Sequence, residues 1–150
     1  MDQVDRQILL YLQDNARISM TELGKTVGLT QPAVTERVRR LEERGIIKDY
    51  RAMVAREKIG KTALAFIWFR ASDCSSFHAF CQSAPEIVEC HRISGEYNHL
   101  LKVVADSLPA LELLENELAR YGKFATSIAL SSPVEYKGIV PAMPEAKNND

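Results

Sequence analysis

Apolar residues in the first third of the chain recur at helical spacing and stop at turn signals. Val4, Ile8, Leu9, Tyr11 and Leu12 define a helix over about residues 4–15. Asp2 and Asp5 lie near its start, where the helix dipole favours negative charge, and Asn15-Ala16-Arg17 breaks it. Ser19 followed three residues later by Glu22 forms a capping box for a short second helix. Leu23 and Val27 supply its buried side, and Gly28 ends it. Thr30 caps a third helix, with Pro32 in its first turn, where the missing N–H is harmless. That helix runs to about Arg44, and Gly45 stops it. On it Val34, Val38 and Leu41 form an apolar stripe. Arg37, Arg40 and Arg44 form a second row, and Gln31, Thr35 and Arg39 lie along another face. Residues 46–54 read as extended, a wing or strand, and 56–60 as a turn.

The pattern then changes. Residues 62–70 (TALAFIWFR) are β-branched and aromatic, which predicts a strand. Ser72-Asp73 caps a helix over 74–83, ended by Pro85. Residues 87–93 and 97–105 read as two strands joined at Gly95, a hairpin. Ser107 caps a helix with Leu111, Leu114 and Leu118 on one face, Gly122 closes it, and 124–134 reads as a last strand. The order is β-α-β-β-α-β, the ferredoxin-like arrangement. The fold class is therefore α+β. Residues 1–60 form a helix-turn-helix, winged-helix-like domain, 61–137 a ferredoxin-like domain, and 138–150 are expected to be a frayed, flexible tail.

Composition adds three constraints. The net charge is −1, so overall charge gives no pull toward nucleic acid. Its distribution does: residues 1–60 hold eleven Lys/Arg against nine Asp/Glu, and 61–150 hold eight against eleven. The three cysteines lack CxxC spacing, and no signal peptide or long apolar run stands out. These point to a reduced, cytoplasmic chain with no membrane partner.

A rigidly packed second helix and a basic third helix, joined by the tight Gly28-Leu29-Thr30 turn, have the geometry that presents a helix to the major groove of double-stranded DNA. Thr30, Gln31, Thr35 and Arg39 are of types suited to base edges or the backbone beside them, and Arg37, Arg40 and Arg44 suit phosphates. A basic helix that merely faces solvent, with Glu36 paired to Arg40, is the bland alternative for any single arginine; it does not account for the whole ordered pattern.

The run 29–47 (LTQPAVTERVRRLEERGII), together with DRQIL at 5–9 and ARIS at 16–19, closely resembles the recognition-helix signature of the Lrp/AsnC, or feast/famine, regulators. GEYNHLLKV at 95–103 resembles the hairpin signature of that family's regulatory (RAM) domain. The resemblance covers roughly residues 2–136. It implies a transcription factor that dimerises through its second domain, often assembles to octamers, and responds to a free amino acid. Carried over, Gly95, Tyr97 and Asn98 belong to the effector site, with Thr126 and Ser127 as further candidates. The family usually has Asp where this chain has Asn98. Asn offers a neutral acceptor in place of a charge-assisted bond to the ligand's ammonium.

Four other readings compete. Cys74, His78 and Cys81 share a predicted helix face, but no fourth metal ligand is evident, and no metal or other cofactor is expected. His91, Arg92, Tyr97 and His99 cluster on the hairpin, as in sirohaem decarboxylases of the same fold; without a paired nucleophile and base, the expectation is a regulator rather than an enzyme. An effector-independent, DNA-organising protein is the remaining alternative. An RNA-binding βαββαβ module would need exposed aromatics on its central strands, and 97–103 lacks that run.

Overall fold

The computed structural model describes residues 1–142. They form two compact units: residues 1–53 together with the segment from Val134 onward, and Val54–Pro133.

The first unit contains α1 (Gln3–Asp14), α2 (Met20–Val27) and α3 (Gln31–Glu43). Their inward faces meet in one core of Ile8, Leu9, Leu12, Leu23, Val27, Val34, Val38 and Leu41. Burying such side chains stabilises by roughly 1.5–3 kcal/mol each. Asp2 is the N-cap of α1. It accepts from Asp5 N–H while the Asp5 carboxylate accepts from Asp2 N–H, a reciprocal capping box. Gly28 ends α2 in the left-handed region, at φ 72°. Gly24 is buried within α2, and a Cβ on it would lie 2.8 Å from the Leu29 carbonyl oxygen. The α2–α3 turn therefore closes over a hydrogen atom, and Leu29 N–H donates to the Gly24 carbonyl at 2.8 Å.

Three sequence expectations are corrected in this unit. Thr30 occupies the N-cap position of α3 with extended backbone, but its hydroxyl makes no capping bond. Residues 46–55 form no strand, so the expected wing is an irregular segment that leads into a 3-10 turn at Arg56–Ile59. The tail is not free at residue 139. Ile139 N–H donates to Gln13 Oε1 at 2.8 Å, and Gln13 Nε2 donates to the Ile139 carbonyl at 2.9 Å. The rest of that expectation, residues 143–150, lies outside the described residues.

The second unit holds β1 (Ala63–Ala71), α4 (Cys74–Ser83), β2 (Ile87–Arg92), β3 (His99–Ala105), α5 (Leu108–Leu118) and β4 (Gly122–Ile128). The strands form an antiparallel sheet of order β2-β3-β1-β4. Alternate residues of β1 (Ala63, Ala65, Ile67, Phe69) and β3 (Leu101, Val103, Ala105) join Phe77 and Cys81 of α4 and Leu111, Leu114 and Leu118 of α5 in one core. The intervening residues, including Leu64, Phe66 and Trp68 of β1 and Leu100 and Val104 of β3, lie on the opposite face. Phe69 and Phe77 stack with centroids 4.2 Å apart.

Here β4 begins earlier and ends earlier than the 124–134 read from sequence. Gly122 does not close a helix; it pairs with Ala71, where a Cβ would sit 2.1 Å from the Arg70 carbonyl oxygen. A register shift between Ile87 and Glu89 breaks the simple alternation expected of β2.

Candidate functional site

The exposed surface of α3 carries the residues that the sequence singled out. Gln31, Thr35, Arg39, Arg40 and Arg44 are all exposed, as is Thr30 just before the helix. Arg40 and Arg44 line a groove of about 580 Å³ beside the start of α1, together with Asp2, Asp5, Glu36 and Arg37. Thr35 Oγ1 donates to the Gln31 carbonyl at 2.8 Å, which leaves the hydroxyl's acceptor side and methyl outward on the helix.

The charges of this surface are mutually engaged. Glu36 accepts from Arg39 Nη2 and from Arg40 Nε, each at 2.8 Å, and Glu43 also pairs with Arg39. Those bonds hold the Glu36 carboxyl down at about 2, and they raise Arg39 above its already high range. All four partners are exposed, with side-chain exposures of 41–67%. Such pairs contribute little to stability and exchange readily for other anions.

Arg37 departs from the phosphate-facing row read from sequence. Its Nη1 donates to Asp2 Oδ2 at 2.7 Å and to Asp5 Oδ1 at 2.8 Å. The two carboxylates of the α1 cap thus hold the middle of α3, and the Asp2 carboxyl is lowered first by its bond from the Asp5 backbone and then by Arg37. The sequence named Asp2 and Asp5 only for the helix dipole. Nothing at a separation of 32–35 residues signals the clamp. Gly24 was also passed over, although a glycine inside a helix costs roughly 1 kcal/mol relative to Ala and so needs a reason such as a close approach.

In the second unit the five expected effector residues fall in three places. Gly95, at φ 122°, and Tyr97 lie in the β2–β3 connection. Asn98 closes that connection, and its side chain is committed inward. Oδ1 accepts from Ala71 N–H at 3.0 Å and stands 2.8 Å from His99 Nδ1, while Asn98 N–H donates to the Phe69 carbonyl. Thr126 faces α5, where its hydroxyl donates to Glu115, and it pairs with Ile67 in the middle of β1. Ser127 pairs with Phe66 on the other face of the sheet. Thr126 and Ser127 therefore do not join the turn residues within one chain.

The hairpin cluster weighed for catalysis divides in the same way. His91 pairs with Glu89 at 3.0 Å, whereas Arg92 is the cross-strand partner of His99. His99 is fully buried, and its Nε2 lies 2.8 Å from Nε2 of His78 on α4. Because Asn98 Oδ1 only accepts, His99 carries its proton on Nδ1, and its Nε2 accepts from His78. Burial, with His78 and Arg92 nearby, lowers the His99 pKa. No sequence signal joins His78 to His99 across 21 residues and two elements.

Comparison with known proteins fits both units. Residues 1–48 match the winged helix-turn-helix DNA-binding model, and residues 62–139 match the Lrp/AsnC ligand binding domain. The HTH-type transcriptional regulator YezC of Bacillus subtilis is 44% identical over 88% of this chain and 95% of its own. The leucine-responsive regulatory protein of Salmonella typhimurium is 38% identical over 78% of this chain and 74% of its own. Among solved structures, Bacillus subtilis LrpC superposes with a TM-score of 0.87 at 36% identity, covering 91% of this chain and 99% of LrpC. A Neisseria meningitidis transcriptional regulator in complex with L-Met gives 0.86 at 26% identity, covering 93% and 96%. The fold, its two units and these relatives agree: the chain belongs to the Lrp/AsnC family of helix-turn-helix transcriptional regulators.

Proposed function

We propose that the protein reads double-stranded DNA with α3 and tunes that binding through an amino acid held at the β2–β3 connection. The observation that carries the first half is the exposed α3 surface, where Arg39 and Arg40 are held, among the described residues, only by solvent-exposed glutamates. On approach to DNA, phosphates replace those glutamates. Thr30 and the first turn of α3 lie against the backbone, Gln31, Thr35 and Arg39 meet base edges, and Arg40 and Arg44 meet phosphates. Arg37 acts as the clamp that fixes α3 rather than as a contact. Fluorescence anisotropy on the upstream DNA of its own gene tests this. Arg39→Ala and Arg40→Ala should weaken binding, and Arg40→Ala should reduce the salt slope by about one. Unchanged affinity and slope in the double variant would sink the assignment.

Leucine and L-Met are the amino acids that relatives' names carry, so they are the first to screen here. The turn of Gly95 and Tyr97 is the contact surface in this reading, with Asn98 shaping it from behind. A second copy supplies Thr126 or Ser127, if these contribute. The open sheet face of Leu64, Phe66, Trp68, Leu100 and Val104 is the surface on which two copies pair, and dimers build larger assemblies such as octamers. Its apolar character, with Trp68 41% exposed, supports that role. Light scattering with and without each amino acid reads both claims. A constant mass and an unshifted Tm across all twenty would favour a regulator without an amino-acid effector. No enzymatic role is proposed: His91 pairs with Glu89 rather than joining Arg92 and His99. The protein acts in the cytoplasm, as a DNA-binding regulator of this family.

A further inference from the structure

Between α4 and β2 lies a cleft of about 440 Å³, lined by His78, Cys81, Gln82, Ile87, Val88, Glu89, Cys90, Arg92 and His99. We propose that this cleft binds a small organic carboxylate, gripped by the Arg92 guanidinium.

The charge of the cleft is one-sided. Arg92 is exposed and, among the described residues, no ion pair engages it. It stands directly across the strands from His99, and His99 meets His78 at 2.8 Å, so one permanent cation and two imidazoles share one wall. Among the described residues Glu89 is the only carboxylate on the rim, and it is occupied by Lys102 at 2.9 Å and His91 at 3.0 Å. The thiols add no negative charge: burial pushes Cys81 up to about 12 and raises Cys90. Asn98 behind His99 is neutral, and Phe77 packs edge-on against the His99 ring. An anion thus finds an unneutralised cation, while Ile87, Val88 and the Gln82 amide suit a short organic body better than a bare phosphate.

His78 donates Nε2–H to His99, so the imidazole pair is fixed beside Arg92 and sets no negative group against the anion.

Isothermal titration calorimetry of the full chain tests this with acetate, succinate and inorganic phosphate at matched ionic strength. Succinate should bind. Arg92→Gln should weaken it about tenfold or more, and Arg92→Lys less. Tyr97→Ala, at the turn proposed for the amino acid, should leave it unchanged, so the two sites fail or stand separately. Thermal melts confirm that each variant is folded. The assignment is overturned if no carboxylate binds, if phosphate binds as tightly as succinate, or if folded Arg92→Gln binds like the parent.

Discussion

The two units use polar side chains in opposite ways. In the helical unit the arginines and glutamates of α3 pair on the surface, with Arg40 67% exposed. In the sheet unit the polar chain from Ala71 N–H through Asn98 and His99 to His78 runs inward, and His99 is fully buried. Exposed pairs give up their partners at small cost, which suits a surface that must exchange carboxylates for phosphates. Buried groups lose a full desolvation penalty when a partner is removed, which suits a fixed frame. Substitutions in the first network should therefore register in binding, and substitutions in the second in stability.

The frame is tested hardest at Gly122. A Cβ there lies 2.1 Å from the Arg70 carbonyl oxygen, and both atoms belong to paired strands with nowhere to retreat. Gly122→Ala should destabilise the sheet unit by about 3 kcal/mol or more. Denaturant unfolding followed by Trp68, the chain's one tryptophan, which lies on β1, reports that unit selectively. A loss under about 1 kcal/mol would mean the strands are less rigid than the register implies.

Next comes the buried relay. His99→Leu removes a donor from Asn98 and an acceptor from His78, and should cost about 2 kcal/mol. It should also change the pH dependence. The folded-state pKa of His99 is depressed below its usual 6.5, so the unfolded chain binds the proton more readily. Stability from this group is present above about pH 6.5 and is lost as pH falls from there through the folded-state value. In carboxylate-free buffer the parent's sheet unit should weaken on acidification, and His99→Leu should flatten that part of the curve.

These contrasts also explain what was legible in the sequence. Apolar spacing announced α1, α2 and α3, and Ser19 and Gly28 marked the ends of α2, because all of these signals act within a few residues. The β-α-β-β-α-β order was legible for the same reason: Asp73 and Ser107 cap their helices locally, and the strands carry β-branched and aromatic runs. The wing failed because residues 46–54 have strand-like composition but no partner strand in the described unit, and composition alone cannot form a ladder. The α3 face was legible through helical arithmetic, yet the Arg37 clamp was not, because its carboxylates are 32 and 35 residues away. Thr126 and Ser127 were further candidates for the effector site of Gly95, Tyr97 and Asn98, and strand alternation sends the two to opposite faces of the sheet.

Gly24 sharpens the comparison from the helical side. Gly24→Ala gains helix propensity of about 1 kcal/mol but pushes a Cβ to 2.8 Å from the Leu29 carbonyl oxygen. That oxygen sits in a turn, not in a ladder, so it yields more easily than its counterpart at Arg70. The net cost should be about 1 kcal/mol, smaller than at Gly122. The displaced turn should nevertheless weaken DNA binding, because it sets the angle of α3. A melt shift with unchanged anisotropy would separate the turn from recognition.

The smallest effects distinguish arginines on one helix. Arg37→Ala releases two α1 carboxylates from a partly exposed bond, and should cost about 1 kcal/mol of stability once solvent screening is allowed for. Its DNA salt slope should stay near the parent's. Arg40→Ala breaks only the exposed pair with Glu36, so its stability should move by less than about 0.5 kcal/mol. Its salt slope should fall by about one, since a phosphate contact is lost. The two variants thus exchange roles between the same two measurements, thermal unfolding and anisotropy across a salt series. Arg37→Ala lowering the slope as much as Arg40→Ala would return Arg37 to the DNA surface, with its carboxylate clamp as a resting state that phosphate displaces.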